Sequence, residues 1–241
     1  MALLECENVT KAFGGLKAID QFSCKIDEGE IVGLIGPNGA GKSTLFDIIT
    51  GFCRLDQGDV IIKDKSVKDL YPHQICQMGV CRTFQLVQPF SKLTVLENVI
   101  AGSSLRCRTV KKAREKALEI VSFVGLEGSQ NEKAVHMNEE GLRKLELARA
   151  LSTGPDLLLL DEVMAGLNQT ELVGFLDLIK KLQRRGLTIF CIEHVMEAIM
   201  SISDRVIVLD FGKKISEGLP AEVSNDEKVI EAYLGVDYGA S

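Results

Sequence analysis

Ile31-Val32-Gly33-Leu34-Ile35-Gly36-Pro37-Asn38-Gly39-Ala40-Gly41-Lys42-Ser43 is the stretch that decides the fold. Its first five residues form an apolar run of the length and character of a strand buried on both faces. Its last eight fit the pattern GxxxxGK[ST], and a helical pattern follows at once from Thr44 to Thr50. A strand leading through a glycine-rich loop into a helix holds phosphates well. Glycines at 36, 39 and 41 let main-chain N–H groups approach an anion with no Cβ in the way, and the helix N-terminus adds the positive end of its dipole. On this reading Gly36, Pro37, Asn38, Gly39, Ala40, Gly41, Lys42, Ser43 and Thr44 surround a nucleotide. Lys42 reaches its β- and γ-phosphates, and the Ser43 hydroxyl ligates Mg²⁺, which prefers oxygen ligands.

Further buried-strand runs lie at Leu157 to Leu160, Thr188 to Ile192 and Val206 to Leu209, alternating with helical patterns. That alternation predicts an α/β fold around a largely parallel sheet, in which ligands bind beyond the C-terminal ends of the strands. The run of leucines delivers Asp161 and Glu162 to that edge: Asp161 to hold Mg²⁺ through water, and Glu162 as general base toward the water attacking the γ-phosphate. His194, after Thr188 to Ile192 and Glu193, arrives at the same edge, where it can donate to a γ-phosphate oxygen. Gln85, after the strand-like Val80 to Phe84, is a further polar side chain at a strand end, a position that does not single it out by itself. The Asn-Lys-x-Asp motif that a guanine-specific site needs is missing from the chain.

Around this core the texture varies. Phe22, Cys24 and Ile26 alternate with Ser23, Lys25 and Asp27, which predicts a half-exposed antiparallel strand. A small antiparallel β subdomain is expected from the residues before Glu30 and around Val60 to Lys63. Between 89 and 151 helix-period residues prevail, so a helical subdomain is expected there, with 1–88 and 152–241 making the nucleotide-binding core of a single domain. Thr94 with Glu97, and Ser224 with Glu227, read as capping boxes, and Gly235 as the end of the last helix. Lys180, Lys181, Arg184 and Arg185 before Gly186 suit a helix C-terminus.

Composition excludes several alternatives. With 28 Lys+Arg against 34 Asp+Glu over 241 residues, the formal net charge is −6, a poor balance for a protein that must neutralise nucleic-acid phosphates. No apolar run approaches the roughly 20 residues of a spanning helix, and the acidic start Met-Ala-Leu-Leu-Glu-Cys-Glu is unlike an export signal, so a cytoplasmic chain is expected. The seven cysteines (Cys6, Cys24, Cys53, Cys76, Cys81, Cys107 and Cys191) are scattered without zinc spacing and read as reduced thiols.

Together these motifs resemble the ATP-binding subunit of an ABC transporter, over essentially the whole chain. Gly36 to Ser43 is then the Walker A motif, Leu157 to Glu162 the Walker B motif with its glutamate, Arg82-Thr83-Phe84-Gln85 the Q-loop, Ala165-Gly166-Leu167-Asn168 the D-loop and Glu193-His194 the switch histidine. The resemblance further implies that Phe13 stacks on adenine, that Gln85 joins Ser43 and Asp161 around Mg²⁺, and that the chain is an ATPase in a nucleotide-sandwich dimer. Transmembrane permease subunits would hold it peripherally at the cytoplasmic face of the membrane. Phe13-Gly14-Gly15-Leu16, Thr50-Gly51-Phe52 and Glu193-His194-Val195-Met196 are similar to subunits of branched-chain amino-acid importers.

One segment departs from the family pattern. Where Leu-Ser-Gly-Gly-Gln should precede the helix around Leu145 to Leu151, this chain reads Met137-Asn138-Glu139-Glu140-Gly141, with a carboxylate where glycine should face a γ-phosphate. Val163 and Gln169 also stand where prolines are usual. The second ATP-binding subunit of the dimer is therefore expected to be a different chain with a good signature. The rival readings are a soluble non-transport ABC-type ATPase and a P-loop kinase or regulatory nucleotide-binding module.

Overall fold

The computed structural model describes residues 1–85 and 88–234. Ten strands and nine α-helices follow in the order β1 Ala2–Phe13, β2 Leu16–Asp27, β3 Ile31–Ile35, α1 Lys42–Ile49, β4 Gln57–Ile62, β5 Lys65–Ser66, α2 Pro72–Gln77, β6 Val80–Arg82, α3 Val95–Ser103, α4 Val110–Phe123, α5 Glu139–Ser152, β7 Leu157–Asp161, α6 Gln169–Arg184, β8 Thr188–Ile192, α7 Met196–Ile202, β9 Arg205–Asp210, β10 Lys213–Gly218, α8 Pro220–Val223 and α9 Glu227–Leu234 among the described residues.

Two sheets form. A six-stranded sheet runs β10-β9-β3-β8-β7-β6, parallel throughout except for the β9–β10 hairpin at its edge. The second, antiparallel sheet runs β2-β1-β4-β5. The alternation read in β2 is realised: Phe22, Cys24 and Ile26 are buried while Lys25 and Asp27 face water.

The large sheet separates two apolar cores because successive side chains on a strand point to opposite faces. Ile31, Ile35, Leu158, Leu160, Ile189, Cys191, Val206 and Val208 face α3 to α7. Val32, Leu34, Leu157, Leu159, Phe190, Ile192, Ile207 and Leu209 face α1 and the antiparallel sheet. Phe46 of α1 meets Phe190 of β8 with ring centroids 5.1 Å apart. Each such side chain contributes about 1.5–3 kcal/mol on full burial. No helix among the described residues is long and apolar enough to cross a membrane.

Between β6 and β7 the described residues form α3, α4 and α5. The Thr94–Glu97 capping box opens α3: Glu97 N–H donates to Thr94 Oγ1 at 3.2 Å, and Thr94 N–H to Glu97 Oε2 at 2.7 Å. At the C-terminus the expected Ser224–Glu227 box does not form. Ser224 instead ends α8, donating from Oγ to Ala221 C=O at 3.1 Å, and Asp226 Oδ1 accepts the Lys228 N–H at 3.0 Å. Pro220 starts a short helix of its own, which uses up Ser224 before α9 begins. Gly235 lies outside the described residues.

Candidate functional site

The loop from β3 to α1 is shaped by glycines that nothing larger could replace. Gly36 has φ 153°, and a Cβ there would stand 2.0 Å from Leu209 C=O; Gly41 has φ 106°, and its Cβ would stand 2.3 Å from Ala18 C=O. The loop therefore lies tight against β9 and β2. Gly41 is the N-cap of α1 and offers no side chain to the first N–H groups of the helix, whose first turn holds no acid. Asn38 and Gly39 in the loop are exposed, and the Cβ direction of Gly39 opens onto free space. Lys42 is buried, and its Nζ donates to Gly36 C=O at 2.7 Å and Pro37 C=O at 3.0 Å. Burial lowers its pKa, against the opposing charges of Glu162 and Asp161. An uncapped helix end and an ammonium resting on two carbonyls fit an anion well.

The loop opens on a cleft of about 740 Å³ whose walls include Phe13, Lys42, Ser43, Thr44, Glu162 and His194. Phe13 ends β1 and is 55% exposed, with Lys11 Nζ 5.3 Å from its ring centroid, an arrangement that suits stacking on one ring face. Phe211, 82% exposed at the turn of the β9–β10 hairpin, borders the same cleft. Sequence reasoning missed Phe211; its signal is the hairpin turn Asp210-Phe211-Gly212, where Phe211 takes φ 42° and Gly212 φ 78°.

The acids sit where β7 ends. Asp161 is buried, and its Oδ2 accepts from Arg82 Nη2 at 2.6 Å, while Arg82 Nη1 reaches Asp47 Oδ1 at 2.5 Å. Burial raises the Asp161 pKa and Arg82 holds it down. Glu162 adopts φ 51°, unusual for a non-glycine residue, and its N–H donates to Ile192 C=O at 2.9 Å. This turn brings the carboxylate between two residues from distant parts of the chain. Gln85 Nε2 donates to Glu162 Oε2 at 2.6 Å, and His194 Nε2 lies 2.7 Å from Glu162 Oε1. The neighbouring Glu193 is buried and pushed up to about 7 by that burial, with the Met164 N–H donating to its Oε1 at 2.9 Å.

Ser43, Gln85 and Asp161 border a second cleft of about 460 Å³. Hydroxyl, carboxamide and carboxylate oxygens are the donor types that suit Mg²⁺, so the set fits such an ion. Here Asp161 is turned to Arg82 and Gln85 to Glu162.

The departing signature segment is helical from Glu139, earlier than the sequence suggests. Asn138 is the reason: its Oδ1 accepts the Gly141 N–H at 2.9 Å and caps α5. Glu139 and Glu140 fill the first turn, and Glu140 is ion-paired to Lys144 one turn on. Asn168, at the end of the D-loop segment, is likewise spent on a cap; its Oδ1 accepts the N–H groups of Thr170 at 3.0 Å and Glu171 at 3.1 Å.

A family model described as ABC transporter matches residues 19–165, and one described as branched-chain amino acid ATP-binding cassette transporter matches residues 213–239. The chain belongs to the ABC transporter family. It is 37% identical, over 97% of its own length and 98% of the relative's, to the high-affinity branched-chain amino acid transport ATP-binding protein of Salmonella typhimurium. The counterpart of that name from Pseudomonas aeruginosa is 35% identical over the same shares. Among solved structures, the ADP conformation of an ATP-binding cassette of an ABC transporter superposes with a TM-score of 0.89 at 32% identity, covering 98% of this chain and 99% of the other. A dimeric cassette in a post-hydrolysis state bound to ADP and Pi superposes with a TM-score of 0.82 at 27% identity, covering 90% of this chain and 98% of the other. The cassette is thus a nucleotide-binding ATPase of P-loop fold, the ATP-binding subunit of a transporter, and the kinase and non-transport readings give way to this one.

Proposed function

We propose that this cassette powers an importer of branched-chain amino acids from the cytoplasmic face of the membrane, held there by permease subunits. The likeness to branched-chain amino acid transport proteins supports the substrate class, and the observation that carries the ATPase chemistry is the engagement of Glu162 by Gln85 and His194 at the mouth of the Lys42 cleft. A carboxylate with both oxygens directed is set up to take a proton from one particular water. In this reading Lys42 leaves the Gly36 and Pro37 carbonyls for the phosphate oxygens, and the open N–H groups of α1 receive the same anion. Phe13 stacks on the adenine. Ser43, Gln85 and Asp161 hold Mg²⁺, which supplies positive charge against the phosphates. Glu162 accepts the proton of the attacking water, with His194 reading whether the γ-phosphate is present.

Residues 1–88 with 152–241 form the core and 89–151 the helical subdomain. Exposed Phe84 and Phe90 border a cleft of about 340 Å³ beside α3 and α5, which suits the apolar end of a permease helix. The self-occupied start of α5 supports a sandwich with a different ATP-binding chain whose signature is intact. Two measurements test the reading. Loss of the chain should abolish uptake of labelled leucine, isoleucine and valine in its host, and unchanged uptake sinks the substrate assignment. Glu162→Gln should keep ATP binding, trap a closed dimer and slow turnover by roughly 10²–10⁴; normal hydrolysis would remove Glu162 as the base.

A further inference from the structure

After β6 the chain leaves the large sheet at Phe84, and one face of α5 meets its main chain. Glu146 Oε1 accepts the Phe84 N–H at 2.5 Å. Arg143 Nη1 donates to Gln85 C=O at 3.0 Å, and Arg149 Nη1 donates to Gln88 C=O at 2.9 Å. Positions three apart on a helix lie on one stripe, so an arginine, a glutamate and an arginine in succession meet a carbonyl, an N–H and a carbonyl. These contacts explain why β6 stops at Arg82, two residues short of the strand-like pattern: the next free N–H is drawn out of the sheet by a carboxylate.

Glu146 is buried, and burial raises its pKa while the Phe84 N–H and the charges of Arg149 and Arg143 hold it down. A carboxylate in such a place is unfavourable unless bonded, and its hydrogen-bond partner here is the Phe84 N–H, one residue ahead of Gln85. Arg143 has a further hold, donating from Nη2 to Ala165 C=O at 3.4 Å in the D-loop segment. One helix thus grips the main chain at Phe84, Gln85 and Ala165, and the Gln85 side chain springs from between the gripped Phe84 N–H and Gln85 C=O to end on Glu162 at 2.6 Å.

We infer that Arg143 and Glu146 are positioning residues for Gln85. They hold the Phe84 N–H and the Gln85 C=O from α5, on either side of the Gln85 side chain's origin, so that the carboxamide reaches Glu162, and they join the helix that carries the signature segment to the water-directing end of the site. The inference rests on the reading of Gln85 and Glu162 as site residues and adds the groups that aim them.

The test uses the purified cassette for amide exchange and the assembled transporter for kinetics. Glu146→Leu should speed exchange of the Phe84 amide by about tenfold or more, because a hydrogen bond to a charged group is lost. In the transporter it should lower kcat by about tenfold, as loss of a group that orients a ligand does, with KM for ATP within about twofold because the Lys42 loop is untouched. Glu146→Gln keeps an acceptor oxygen and should recover most of both effects. In a Gln85→Ala background Glu146→Leu should cost nothing further in kcat. If Glu146→Leu does not fold, Arg143→Ala carries the same kcat and KM readings, with rescue by Arg143→Lys. An unchanged Phe84 amide, or an equal kcat loss in the presence and absence of Gln85, overturns the positioning role alone. A Gln85→Ala variant with unchanged kcat overturns the reading of Gln85 and the positioning role with it.

Discussion

The start of α1 is capped by Gly41, leaves its N–H groups without a side-chain acceptor and has no acid in its first turn, whereas the start of α5 is capped by Asn138 and carries Glu139 and Glu140. Both ends have the same dipole and the same orphan donors. What differs is who satisfies them. At α1 the sequence leaves the place open for an outside anion; at α5 the chain supplies its own. The lesson is that a helix N-terminus becomes a ligand site by what is withheld from it, an acceptor side chain at the cap and an acid in the first turn.

The largest expected break in this contrast is Lys42→Ala. Removing the ammonium that rests on Gly36 and Pro37 should lower turnover in the assembled transporter by roughly 10³, the upper range for loss of one donor aimed at developing charge. Steady-state ATPase assays check it, and near-normal rates would mean that α1 is no more a nucleotide site than α5.

Acids sharpen the comparison next. Glu140 at α5 is paired with Lys144 in a half-buried contact, while Glu193 just past β8 is buried and ionises near 7 instead of its ordinary 4.5. Between these values the folded state binds more protons than the unfolded one, so stability falls as pH rises through the window. Glu193→Gln, which keeps an oxygen for the Met164 N–H, should gain about 3 kcal/mol on the parent chain between about pH 4 and pH 8. Urea unfolding at the two pH values measures this, and parallel curves would contradict it.

A smaller effect is expected at α5 itself. The purified cassette alone should hydrolyse ATP slowly, and Glu140→Gly should raise the rate by about tenfold, since a like charge near a γ-phosphate opposes closure. Rapid turnover indifferent to this change would remove the argument for a different partner chain. Smallest of all, Asn138→Ala should cost about 1 kcal/mol through loss of the cap, seen as a melting temperature lower by about 2–4 °C.

Much of this was legible in the sequence because it is local. The strand, loop and helix around Lys42 occupy consecutive residues, and the leucine run carries Asp161 and Glu162 with it. The period-two pattern of β2 and the Thr94–Glu97 box are read within a few positions. What escaped is non-local or competitive. Arg82 bridges Asp47 and Asp161, separations of 35 and 79 residues, and α5 reaches Phe84 and Gln85 from about sixty residues away. No spacing rule encodes such pairs. Ser224 looked like a cap until Pro220 opened a helix ahead of it, and Asn138 moved the start of α5 forward because it is itself a good cap.

The six-stranded sheet belongs equally to the layer above and the layer beneath, since every second residue of β3, β7, β8 and β9 serves one side and its neighbours the other. Neither layer can melt while the other stays intact, because loosening a shared wall exposes both rooms. Heating the cassette should therefore give a single sharp transition, and damage to any one central strand should weaken helical and antiparallel parts together.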